Sequence, residues 1–162
     1  MCTGNICRSP MAEVLLRHLV GADPLLVGKV EVSSAGTARW HVGAAMDPRA
    51  RRALDRAGLT GPGSPASYAS TEYLRTQDLV VVMTREHVHE VRKRLDGATA
   101  RVALWRELDA PGSGLEVPDP YYGDDADFAA CLALLSSSGP AVTAELRRRR
   151  GATWSSGRPL GA

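Results

Sequence analysis

The sequence predicts one α/β domain, a parallel sheet with helices on both faces. Three observations carry that prediction. Apolar, β-branched runs at residues 29–34, 78–83 and 100–105 have the length and composition of buried strands. Helical patterns alternate with them, the order that produces a parallel sheet covered on both sides. The chain has 162 residues, 44% hydrophobic and 23% charged, which is enough for one core and ordinary for a soluble protein.

Taken in order, residues 2–9 read as a loop feeding a first helix over residues 10–20, with Ser9 as N-cap and Pro10 at the first helical position. The strand at residues 29–34 follows. Asp47 and Pro48 then open a helix over residues 48–57, which Gly58 stops. A short helical piece is expected after Ser70, and the second strand after it. Thr84 caps a helix over residues 85–95 that ends near Gly97, and the third strand comes next. The last helix covers residues 125–149, with a break or kink expected at Ser136-Ser137-Ser138-Gly139-Pro140. Residues 61–67 and 109–124 are the long loops. Residues 151–162 hold Gly, Ser and Pro without periodicity, so the domain is expected to occupy residues 1–150 and the tail to be disordered.

A net charge of +2 is too small to predict nucleic acid or membrane as a partner. The run Arg147-Arg148-Arg149-Arg150 suits a solvated helix end, where cations complement the dipole. Cys2, Cys7 and Cys131 are too few for a disulfide framework and fit a reducing compartment. No apolar run is expected to approach the ~20 residues of a membrane helix, and Met1-Cys2-Thr3-Gly4-Asn5 has no signal-peptide core. The expected location is the cytoplasm.

The chemistry concentrates in Cys2-Thr3-Gly4-Asn5-Ile6-Cys7-Arg8-Ser9-Pro10. Five residues between a cysteine and an arginine let the backbone wrap one tetrahedral anion with its N–H groups inward. The loop runs into a helix N-terminus, whose free amides favour negative charge. Gly4 permits a backbone shape that a side chain would resist. Arg8 offers a planar fork for two phosphate oxygens. The same field favours the thiolate of Cys2, the form that attacks phosphorus, and Ser9 is placed to donate a hydrogen bond to the sulfur. Cys2 and Cys7 do not make a metal site, because no second Cys pair or spaced His pair completes four ligands.

Asp119, in Val117-Pro118-Asp119-Pro120-Tyr121-Tyr122-Gly123, is the candidate general acid. Prolines on both sides stiffen the loop, and Tyr121 and Tyr122 offer flat walls for an aromatic ring. Asp124, Asp125 and Asp127 suit capping and first-turn charge on the last helix. Trp40, followed by His41, is a further candidate wall. His18, His87 and His89 read as filler on helical patterns.

These residues resemble the low-molecular-weight protein tyrosine phosphatase family. The resemblance rests on the Cys2–Pro10 motif, on Ser34-Ala35-Gly36-Thr37, and on Asp119-Pro120-Tyr121-Tyr122-Gly123, and spans about residues 2–149. It implies a four-stranded parallel sheet, no cofactor or metal, a phosphotyrosine-containing protein as substrate, and a cysteinyl-phosphate intermediate. Carried over by position, Cys2 is the nucleophile, Arg8 the transition-state clamp and Asp119 the acid. Thr3, Gly4, Asn5, Ile6, Cys7 and Ser9 form the phosphate loop, with Ser34 in support; Trp40, Tyr121 and Tyr122 wall the slot. Cys7 matches a second cysteine able to form a disulfide with the nucleophile. Ile6 fits the tyrosine-directed branch, whereas threonine there would resemble the arginine phosphatase branch.

Two departures stand out. In the family a hydrophobic strand leads into the cysteine, and here Met1 occupies its last position, so the natural chain is expected to start upstream. Ser67-Tyr68-Ala69 stands where family members often carry an arginine. Two other readings remain: a non-catalytic or truncation-inactivated oxyanion or phosphotyrosine binder, and an arsenate reductase, which would need a relay of resolving cysteines beyond Cys131.

Overall fold

The computed structural model describes residues 1–96 and 101–155. Two of the predicted strands pair, β1 (Leu79–Val82) running parallel to β2 (Arg101–Leu104) with Val80 opposite Val102. Parallel neighbours need a crossover, and α4 (Arg85–Leu95) supplies it. The run at residues 29–34 corrects the prediction, because it forms no ladder. Gly36 just beyond it bridges in parallel to Cys2 and to Tyr68. A β-branched run becomes a strand only where a neighbour takes its main-chain bonds, and a cavity separates this run from β1. Among the described residues the sheet therefore has two strands rather than four.

α1 (Arg8–Gly21) begins two residues earlier than predicted, with Cys7 at the N-cap position and no side-chain cap bond. Ser9 does not cap the helix, since its hydroxyl is committed to Cys2 and Asn5. Pro10 is tolerated because a first-turn N–H has no intrahelical partner to lose. α2 (Pro48–Arg56) is capped by Asp47, whose carboxylate accepts from the Arg49 amide at 2.8 Å. It stops before Gly58, which takes φ +70°. α3 (Thr71–Arg75) and α4 start from the hydroxyl caps Ser70 and Thr84. α4 ends at Asp96 in the left-handed region, and Gly97, its predicted stop, lies outside the described residues.

α5 (Asp125–Ser155) corrects two expectations, running through Pro140 and taking residues 151–155 into the helix. Residues 156–162 lie outside the described part. Packing against α1 and α2 overrides the proline, because Phe128, Cys131, Leu135 and Val142 are buried on both sides of the expected break. Gly139 permits the close approach: a Cβ there would lie 2.8 Å from the Leu19 Cδ1. By length and mean hydropathy α5 is also the one described helix that could cross a membrane, contrary to the composition reading.

Two apolar clusters flank the strands. One joins α1, α2 and α5 around Met11, Leu54, Trp105 and Phe128, and the Trp105 indole N–H donates to the Leu135 carbonyl at 3.2 Å. The other joins α3, α4 and the sheet through Leu74, Val80, Val91 and Leu104. The architecture is α/β with helices around a parallel pair, and Cys2 sits where the sheet gives way to α1.

Candidate functional site

The loop from Cys2 to Arg8 is held by side chains rather than by secondary structure. Asn5 sits at φ 57°, a left-handed conformation that Asn tolerates better than most residues. Its amide NH2 donates to Ser9 Oγ at 2.9 Å and to Ser34 Oγ at 2.8 Å, and its Oδ1 accepts from the Ser67 amide at 2.9 Å. Ser34 in turn donates to Glu13 Oε2 at 2.6 Å. Because Ser9 Oγ accepts from Asn5, its own proton is free for Cys2 Sγ, 3.0 Å away. The buried chain from Glu13 through Ser34 and Asn5 to Ser9 thus aims one hydroxyl proton at the sulfur.

Backbone contacts fix the outer side. A Cβ on Gly36 would lie 2.5 Å from the Thr3 carbonyl, so only glycine fits beneath the loop. The Thr37 amide donates to the Cys2 carbonyl at 2.9 Å, and the Asp47 amide to the Ile6 carbonyl at 2.8 Å. Thr3 Oγ1 lies 2.9 Å from His87 Nε2, whose other nitrogen meets Thr84 Oγ1 at 2.8 Å. His87 is therefore not filler. Burial, with help from the Arg8 charge, lowers its pKa to about 4, leaving a neutral ring that bridges α4 to the loop.

Arg8 lies under the loop, 4% exposed. One terminal nitrogen donates to the Val117 carbonyl at 3.2 Å and the other pairs with the Asp119 carboxylate. Its Nε is buried with no hydrogen-bond partner among the described residues. A buried donor left unmade costs about 1–3 kcal/mol, and an oxyanion in the loop would remove that cost. Asp119 is half exposed and also accepts from the Tyr121 amide at 3.2 Å, which holds the 118–120 turn over Arg8.

All three cysteines are free and buried. Burial, then the nearby Asp47 charge, pushes the Cys7 thiol up to about 12. Burial alone leads the same shift to about 12 at Cys131, inside α5. Both therefore stay protonated and unreactive at neutral pH. Cys131 is poorly suited to relay an arsenate-linked disulfide.

The predicted walls are surface residues: Trp40 is 79% exposed and Tyr122 97%. Tyr121 packs edge-on against Tyr122, ring centroids 5.1 Å apart, and faces His41 at 6.5 Å. No ring contact joins Trp40 to this group among the described residues, so the structure brings the two tyrosines and His41 together but not Trp40. Glu13 was missed from sequence, and its signal was a lone acid on the apolar side of α1. Residues 67–69 carry no arginine, but two arginines from elsewhere in the chain pack on Tyr68. The Arg39 guanidinium lies 3.9 Å from the Tyr68 ring centre and that of Arg94 5.1 Å, and Arg94 donates to the Thr37 carbonyl at 2.7 Å.

The family model for low molecular weight phosphotyrosine protein phosphatases matches residues 1–152. Low molecular weight protein-tyrosine phosphatase A of Mycobacterium tuberculosis is 42% identical over 149 residues, 88% of this chain and 86% of that protein. The low molecular weight protein-tyrosine-phosphatase of Streptomyces coelicolor is 37% identical over 153 residues, 92% of each. Among solved structures, YfkJ from Bacillus subtilis superposes with a TM-score of 0.80 at 29% identity, covering 91% of this chain and 92% of that one. The tyrosine phosphatase Wzb from Escherichia coli K30, in complex with sulphate, gives 0.75 at 30% identity over 90% and 94%.

Proposed function

This chain belongs to the low molecular weight phosphotyrosine protein phosphatase family, and from that premise we propose that it hydrolyses phosphotyrosine in proteins with Cys2 as nucleophile, Arg8 as clamp and Asp119 as proton donor. The observation that carries the assignment is the buried, unpartnered Nε of Arg8 beneath a loop that also presents Cys2 Sγ to Ser9. A phosphate in the loop gives that donor an acceptor, and the loop amides and the N-terminus of α1 take the remaining oxygens.

In the first step the sulfur of Cys2 attacks phosphorus in line with the phenolic oxygen. Arg8 and the inward amides hold the equatorial oxygens as charge builds on them. Asp119 gives its proton to the departing phenolate, and the S–P bond replaces the O–P bond. Water then attacks the cysteinyl phosphate, Asp119 takes a proton from it, and the thiolate leaves with Ser9 donating to the sulfur. The Arg8–Asp119 pair joins clamp to acid in the free enzyme, and a phosphate dianion competes for the same guanidinium. Tyr121 and Tyr122 flank the leaving-group side, and Ile6 supports tyrosine over arginine as the phosphorylated residue.

The reading places one phosphatase domain over residues 1–150, on the family's four-stranded sheet plan, in the reducing cytoplasm that three free cysteines suit. Turnover of p-nitrophenyl phosphate and of a phosphotyrosine peptide tests it. Both activities should disappear in Cys2→Ser while phosphate still binds. Undiminished turnover in that variant refutes the assignment, and phosphate binding without turnover in the unaltered chain makes it a binder instead.

A further inference from the structure

Three side chains at the edge of the phosphate loop form a cluster that the phosphatase chemistry leaves unused. Arg39 is exposed, and its guanidinium carbon lies 3.9 Å from the centre of the Tyr68 ring. Arg94 of α4 lies over the same ring at 5.1 Å. Arg94 is committed: it donates to the Thr37 carbonyl at 2.7 Å and to Glu90 at 3.4 Å, and its side chain is 19% exposed. Arg39 is not, since among the described residues its side chain has no hydrogen bond and no ion pair, only the ring. The cluster therefore sets two cations against one carboxylate.

The backbone puts this cluster beside the nucleophile. Gly36 bridges in parallel to Cys2 on one side and to Tyr68 on the other, so two strand spacings, roughly 10 Å, separate Cys2 from Tyr68. The Ala38 amide donates to the Thr3 carbonyl at 3.0 Å, and a Cβ on Gly4 would lie 2.8 Å from the His41 Cδ2. Arg39 thus sits between two residues that touch the loop. An extended peptide advances ~3.3 Å per residue, so about three residues of substrate reach from the phosphotyrosine to Arg39.

We propose that Arg39, held on Tyr68, is a specificity-determining residue that receives an acidic side chain of the substrate protein about three residues from the phosphotyrosine. The inference rests on the phosphatase reading of Cys2 and narrows its substrate class. A guanidinium packed on a ring keeps its in-plane N–H donors, and these match the two oxygens of a carboxylate. Contact with the ring also holds a long side chain in place before the partner arrives, which lowers the ordering cost of binding. Arg94 adds to the positive potential that draws an anion to the spot. Glu90 is the carboxylate placed to compete, and Arg94 engages it.

The test uses the 162-residue protein carrying Cys2→Ser, which holds a phosphopeptide without turnover. The probes are acetyl-Ala-Glu-Glu-Ala-pTyr-Ala-Glu-Glu-Ala-amide and the same peptide with Gln for every Glu, so acids stand two and three residues away on both sides. Calorimetry at low salt should show the acidic peptide binding about tenfold tighter, the scale of one charge-assisted pair. Arg39→Gln should bring that ratio to about twofold or less, and Tyr68→Leu, which removes the platform, should lower it about threefold. Arg92→Gln removes the same charge from an exposed position of α4 and should leave the ratio unchanged. Equal affinity for the two peptides overturns the proposal, as does a ratio that survives Arg39→Gln. A loss as large in Arg92→Gln as in Arg39→Gln also overturns it, in favour of a diffuse positive field. If neither phosphopeptide binds, the phosphotyrosine reading falls together with this one, whereas equal binding removes only the role of Arg39.

Discussion

Replacing Asn5 with alanine removes the joint on which the phosphate loop turns. The side chain makes three buried or half-buried hydrogen bonds, to Ser9, Ser34 and the Ser67 amide. At about 0.5–1.5 kcal/mol each they sum to roughly 1.5–4.5 kcal/mol. The left-handed backbone at φ 57° adds about 1 kcal/mol for a residue that lacks a local polar side chain. A loss of about 3–5 kcal/mol is expected in urea denaturation, which leaves a domain of ordinary stability folded. Freed from Asn5, the Ser9 hydroxyl no longer directs its proton at Cys2, so kcat should fall about tenfold or more in the folded fraction. Ser34→Ala and the double variant complete a cycle, and the coupling should exceed about 0.5 kcal/mol because both residues share the chain to Glu13. A stability loss under about 1 kcal/mol, or fully additive single effects, would refute the reasoning.

Asp119→Ala should lower kcat for phenyl phosphate by about 10²–10⁴, and by much less for leaving groups that need no proton; equal losses would remove the acid role. Gly36→Ala should drive the Thr3 carbonyl aside, since its Cβ would lie 2.5 Å away, and lower phosphate affinity more than stability; unchanged inhibition by phosphate contradicts this. His87 is held neutral, so it contributes stability that is complete above its unfolded value of 6.5 and lost as pH falls toward about 4. That shift corresponds to about 3 kcal/mol, and His87→Gln should flatten this part of the stability–pH curve; an unchanged slope would assign it elsewhere.

The elements legible in the sequence were those with local signals. Asp47, Ser70 and Thr84 cap α2, α3 and α4 as their side chains predict, because capping is decided within three residues. Ser9 broke the rule, since a hydroxyl that caps in isolation is worth more here between Asn5 and Cys2. Pro140 failed as a breaker because α1 and α2 grip α5 on both sides of it, a tertiary effect that no local pattern contains. The run at residues 29–34 has strand composition but no strand, because pairing belongs to the neighbour as much as to the residues. At the site, Cys2, Arg8 and Asp119 could be named from motif chemistry; in the structure Arg8 pairs with Asp119, and Cys2 meets Ser9 of the same loop. The supports Glu13, His87 and Arg94 could not, since their roles come from contacts with residues 21 to 84 positions away.

The most direct test is to mix the Asp119→Ala variant with p-nitrophenyl phosphate, quench within one turnover, and map the phosphoryl group by mass spectrometry. The account predicts a cysteinyl phosphate on the peptide that begins Met1-Cys2-Thr3, absent from Cys7 and Cys131, whose thiols burial keeps protonated. Phosphate on another residue, or turnover with no trapped phosphoryl group at Cys2, would contradict it.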